Sequence, residues 1–245
     1  MALVWAGTAF VLWAYAGSVF TYFLILWRMR VIEKPTGKSE TGGMIGEIVE
    51  SFRYALAHKG IFYLLALLCA TGLLIRPVME LLPGFSEEVF GSGAEGLSML
   101  MSATGAGAVV SGLWLSRRGR TRGLTSLVSF SLMATSVSLL GFTMSGNIWL
   151  AIFCLSLVGA FILIGNVGSQ TLIQNAVDSG IRGCVLSLFI IISWGFPALG
   201  GLAEGWLASI FGLGPVIGWG AVLAFAGWLG ARPFLARARQ ALEAE

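Results

Sequence analysis

The sequence predicts an all-α polytopic membrane protein of seven transmembrane helices, and three observations carry that prediction. The mean hydropathy is +0.87, with 57% hydrophobic and only 11% charged residues, a balance that leaves too little polar surface to cover a soluble domain. Seven apolar stretches approach the ~20 residues a helix needs to cross a bilayer. The third observation is charge. Arg28, Arg30, Lys34, Lys38, Arg53, Lys59, Arg117, Arg118, Arg120, Arg122, Arg182, Arg232, Arg237 and Arg239 all follow stretches one, three, five or seven, whereas the connections after stretches two, four and six hold no Lys or Arg. Basic residues are retained on the cytoplasmic side. The pattern therefore puts the N-terminus outside and the C-terminus in the cytoplasm, as a multi-pass protein of the plasma (inner) membrane. Arg76, inside a stretch, is the exception.

The spans fall at about residues 3–27, 60–82, 94–115, 124–145, 148–173, 184–211 and 214–231. Lipid cannot satisfy exposed backbone groups, and the residue-by-residue alternation of a membrane β-barrel is missing, so each span is a helix. Four regions follow: residues 1–28 as a first helix, 29–59 as a cytoplasmic connection, 60–231 as six helices, and 232–245 as a cytoplasmic tail. The N-terminus lacks the basic region of a secretory signal, so the first helix is expected to stay in the mature chain. The connection begins as a Pro, Gly, Ser and Thr linker from Glu33 to Gly43. Met44, Ile45, Ile48, Val49, Phe52 and Leu56 then recur at helical spacing, which predicts an amphipathic helix on the membrane face. Within the later spans, Gly105 and Gly107, Gly201 and Gly205, and Gly214 and Gly218 offer small faces for close helix packing.

Several function classes are excluded. The net charge of +3 is explained by span ends and carries no nucleic-acid signal. Cys69, Cys154 and Cys184 form no disulfide framework. Metal centres and most nucleophile dyads need histidine, and His58 is the sole one. A retinal Schiff base would need a lysine within a span, and none occurs after Lys59. No enzyme, metal or cofactor is expected.

The ionisable residues inside the spans are Arg76, Glu80 and Glu204. Charges at this depth pair or face a water-filled cavity. Arg76 and Glu80 are four apart, which allows an ion pair on one helical face. A gate or substrate contact on the external side is the alternative, and Pro77 between them would interrupt the helix and free a carbonyl. Glu204 has no local partner and reads either as a proton carrier or cation site, or as a neutral group bonded between helices. Asn166, Gln170 and Gln174 share a face of the fifth span with Ser169 nearby, as interhelical contacts or as the lining of a solute path.

The third connection reads Gly112-Leu-Trp-Leu-Ser-Arg-Arg-Gly-Arg-Thr-Arg122. It resembles the cytoplasmic loop signature of the major facilitator superfamily, matching at Gly112, Arg117, Gly119, Arg120 and Arg122. Ser116 stands where the family has Asp, so the charge contact credited to that Asp does not carry over. The stretch Gln174 to Asp178, leading into Arg182 and Gly183, is similar to the cytoplasmic turn between the family's tenth and eleventh helices. Pro197 to Gly201 with Glu204 resembles the eleventh helix. Arg76 to Pro83 resembles the seventh helix of the branch containing siderophore and drug exporters.

The resemblance covers helices six to twelve, a C-terminal six-helix bundle preceded by one helix. It implies a secondary transporter, in export mode by family similarity, that moves a small solute by alternating access. Glu204 is then the expected coupling residue, with Asn166 and Gln170 in the cavity. The chain is expected to be a fragment or a split transporter, whose partners are the lipid bilayer, a small-molecule substrate and either an N-terminal half or a second copy. A non-transporting scaffold or regulatory partner is the competing expectation.

Overall fold

With no water to bond to, a backbone in lipid must satisfy its own N–H and C=O groups, and an uninterrupted helix does so within one segment. The computed structural model describes residues 2–28, 53, 59–119, 123–177 and 182–242, and among them every regular element is a helix. The chain divides into two units, residues 1–40 and 41–245.

The first unit holds α1 (Ala2–Arg28), a helix of 27 residues with Arg28 in its last turn. That cation complements the negative end of the helix dipole. Phe23 and Trp27, one turn apart, meet edge to face at 5.5 Å between ring centroids. The amphipathic helix expected over residues 44–56 lies outside the described residues, apart from Arg53, which is helical and exposed.

The second unit contains α2 (Lys59–Leu74), α3 (Val78–Glu88), α4 (Gly93–Arg118), α5 (Leu124–Thr143), α6 (Ile148–Ala176), α7 (Arg182–Phe211) and α8 (Leu213–Leu242). Its six segments long and apolar enough to cross a bilayer are Gly60–Glu88, Gly93–Arg118, Leu124–Thr143, Ile148–Ala176, Val185–Phe211 and Leu213–Leu235. These are the six later spans of the sequence reading.

The largest differences lie at helix ends and have local causes. α4 runs through Arg117 and Arg118 to Gly119, whose φ of +55° is a left-handed cap that suits glycine. α8 continues past Pro233 because Ala, Leu, Arg and Gln in its last turns are strong helix formers. Asn147 caps α6, its side chain accepting from the Trp149 amide at 2.9 Å.

Packing is closest where glycine replaces side chains. At the α4–α6 crossing, Gly107 lies against the Ser156 carbonyl and Gly159 against the Thr104 carbonyl. In lipid no hydrophobic effect draws helices together, so such backbone approach supplies dispersion and Cα–H···O contacts instead. α5 buries Ser129, Ser131, Thr135 and Ser136. Three of these hydroxyls donate back to their own helix, Ser131 to Val128 O at 2.7 Å, Thr135 to Ser131 O at 2.7 Å and Ser136 to Leu132 O at 2.8 Å, so they can be buried without orphaned donors. Ser129 is used differently. Its Oγ accepts from Tyr63 Oη on α2 at 2.9 Å and from Trp228 Nε1 on α8 at 3.1 Å, joining three helices.

Candidate functional site

Two prolines organise the interior. Pro77 brings no N–H to the helix, and the chain around it makes a wide turn: the Ile75 and Arg76 amides both donate to Thr71 O, at 3.1 and 2.9 Å, and the Val78 amide donates to Ile75 O at 3.2 Å. The carbonyls of Gly72, Leu73 and Leu74 thereby lose the donor four residues ahead. In α7, Pro197 does the same to the carbonyl of Ser193.

The two interrupted helices fit against each other reciprocally. A methyl group on Gly72 would come within 3.1 Å of Phe196 Cβ and 3.4 Å of Pro197 Cδ. One on Gly200 would come within 2.5 Å of Leu73 O and 2.7 Å of Pro77 Cγ. Each helix thus sets a glycine against the other's proline. Arg76 completes the joint by donating Nη1–H to Ser193 O at 2.7 Å, the carbonyl that Pro197 leaves without its helical donor. Its guanidinium also lies 5.9 Å from the Trp194 ring centroid.

This corrects the expected Arg76–Glu80 ion pair: no such pair forms. The i,i+4 argument requires both residues on one continuous helix, whereas Arg76 precedes the new helix and Glu80 sits in its first turn. Glu80 is exposed, where its charge complements the dipole of α3.

Arg76 instead borders two spaces. An inner cavity of about 20 Å³, roomy enough for about one water, is lined by Arg76 with Thr71, Ser131, Thr135, Asn166 and Ser169 among others. A groove of about 400 Å³ continues on the other side, lined by Arg76, Asn166, Thr104 and mostly apolar residues. Of the polar ladder, Asn166 and Ser169 therefore reach the interior, while Gln170 and Gln174 are half-buried and line neither space. The serines and threonines of α2 and α5 escaped the sequence reading. The only signal for those of α5 was their density between residues 125 and 143, which fits interhelical packing equally well, and Thr71 of α2 had none.

Glu204 lies one turn beyond Gly200 on α7 and is 7% exposed. Its Oε1 has no hydrogen-bond partner among the described residues. A methyl group on Gly220 of α8 would fall 2.6 Å from Leu74 O and 3.1 Å from Glu204 Oε1. The carboxyl group thus occupies a junction of three helices, beside a carbonyl that the Pro77 turn has released.

At the other end of the bundle, Gly112, Ser116 and Gly119 border a separate groove of about 540 Å³ between α4 and α6. Arg117 is exposed and Arg118 lies 5.9 Å from the Trp114 ring centroid. Arg182 donates Nε–H and Nη2–H to Val177 O, at 3.3 and 3.2 Å, bridging the ends of α6 and α7. Gly183 is exposed, and Arg120, Arg122 and Asp178 lie outside the described residues.

A multi-pass helical unit with proline-interrupted helices and an internal cavity bordered by several polar side chains is that of a polytopic membrane protein. The chain belongs to the transmembrane secretion effector family of the major facilitator superfamily, whose profile matches residues 1–243. It is also similar to the staphyloferrin A transporter of Staphylococcus aureus (strain NCTC 8325 / PS 47), 27% identical over 166 residues. That alignment covers 68% of this chain and 41% of the transporter, so the chain spans less than half of its relative. Family membership points to membrane transport and away from an enzymatic role.

Proposed function

We propose that this chain is the solute-binding and ion-coupling half of a secondary exporter. The observation that carries the reading is the juxtaposition, within one bundle, of a proline-interrupted helix pair, a cavity reached by Arg76 and Asn166, and the buried Glu204 carboxyl. Interrupted helices at an internal site let a bundle present backbone carbonyls and side chains to a solute or ion and change shape about that point. Alternating access needs a second bundle to rock against, supplied by further helices or by a second copy. The similarity to less than half of the staphyloferrin A transporter supports such a partner, and the secretion named by the family profile favours a small solute leaving the cell.

Glu204 is the residue we assign to proton exchange. It is buried, its Oε1 is unpartnered, and it adjoins the joint that would move. The test is reconstitution of the complete assembly in liposomes with an imposed pH gradient, monitored by an internal pH dye across a solute panel. A saturable solute-dependent discharge is expected. Glu204→Gln should abolish that discharge while leaving solute binding within about twofold, since a neutral isostere keeps the packing but cannot exchange a proton. Proton-driven flux that survives the substitution removes Glu204 from the mechanism, and absence of any solute-dependent flux removes the transporter reading.

A further inference from the structure

The guanidinium of Arg76 presents five N–H donors, and Ser193 O takes one of them. Its remaining donors belong to a side chain bordering both the inner cavity and the 400 Å³ groove. None of the acidic residues Glu80, Glu87, Glu88, Glu95 and Glu204 lines either space. A cation at membrane depth without a counter-ion is costly, and a carboxylate is its natural complement because two oxygens match the guanidinium fork. The Asn166 side chain, at the boundary of the two spaces, makes no hydrogen bond with another described residue and has an amide N–H₂ to offer. Apart from Thr104, the rest of the groove wall is apolar, with Met79, Met101 and Ile162 as adaptable surfaces. Its volume falls within the ~300–1,000 Å³ range of small-molecule sites.

We propose that the Arg76 groove is an organic-anion site, taking a carboxylate on the Arg76 guanidinium and the Asn166 amide and an apolar body against Met79, Met101 and Ile162. The assignment rests on the transporter reading for its purpose, since it names the class of solute that the same cavity would carry. The anion supplies the counter-charge that no described acidic residue supplies there. Empty and loaded states then differ in the charge buried at the Gly72–Pro197 and Gly200–Pro77 crossing.

Binding tests this without requiring flux. The full 245-residue chain, held in nanodiscs of zwitterionic lipid, is titrated calorimetrically with naphthoate, naphthamide and naphthylmethylammonium, which share one apolar body. Saturable naphthoate binding is expected, at least about tenfold tighter than naphthamide, with none for the ammonium probe, because a charge-assisted pair contributes more than a neutral hydrogen bond. Arg76→Gln should weaken naphthoate at least about tenfold and make it indistinguishable from naphthamide. Glutamine keeps an N–H for Ser193 O, so the joint retains a donor. Met101→Trp leaves Arg76 untouched but fills the groove; it should also lose naphthoate binding, and it decides the matter if Arg76→Gln does not fold. The proposal is overturned by absent naphthoate binding, by equal affinity for acid and amide, or by wild-type affinity in the folded variants. Anion binding without solute-driven flux in the liposome assay would leave this site standing and overturn the transporter reading alone.

Discussion

At the residue scale, the bundle turns on single polar atoms with several neighbours. Ser129 Oγ receives both the Tyr63 hydroxyl and the Trp228 indole. Ser129→Ala would strand the buried Tyr63 hydroxyl and the half-buried Trp228 indole N–H at once, and each stranded donor costs about 1–3 kcal/mol. A loss of about 2 kcal/mol or more, the two strandings together, is expected from SDS-titrated unfolding in detergent micelles; a change within about 0.5 kcal/mol would mean that water or lipid replaces the hydroxyl. Arg76 teaches a different lesson. Its depth in the membrane and the turn at Pro77 were legible in the sequence, because Pro removes an N–H wherever it falls. Its partner was not. Ser193 is remote in sequence, and its carbonyl is available only because Pro197 sits four residues further on. Spacing alone favoured Glu80, and the turn at Pro77 removes the continuous helix on which that spacing depends.

At the element scale, the α4–α6 crossing depends on Gly107 and Gly159 having no side chain. An added Cβ at either would meet backbone rather than a movable side-chain end. Gly107→Ala must therefore push whole helices apart, at an expected cost of about 1–3 kcal/mol, as for other overpacked sites. Thermal unfolding of the purified variant checks this, and an unchanged midpoint would show that the two helices have slack. Helix identities and approximate bounds came from apolar length alone. The partner of each glycine did not, since periodicity reports which face is small but never which helix lies opposite. For the same reason spacing assigned the serines and threonines of α5 no role, although Ser131 and Thr135 border the inner cavity.

At the scale of the whole molecule, topology is carried by charge. The asymmetric Lys and Arg distribution predicts that the α5–α6 turn lies outside and the α4–α5 connection in the cytoplasm. With the three native cysteines replaced, Gly146→Cys should react with an impermeant maleimide on intact cells, while Gly119→Cys should react only after permeabilisation. The reverse pattern would invert the orientation.

The connection between α7 and α8 has a consequence for how this chain is made. Only Gly212, with φ +85°, separates the two helices, and its amide already donates to Ala208 O at 2.9 Å. One residue extends at most ~3.6 Å, far short of the ~30 Å hydrocarbon core. The end of α7 and the start of α8 must then stay at the same membrane surface throughout synthesis. The two spans therefore form one tight hairpin, in which the single-residue connection keeps Glu204 and Gly220 side by side.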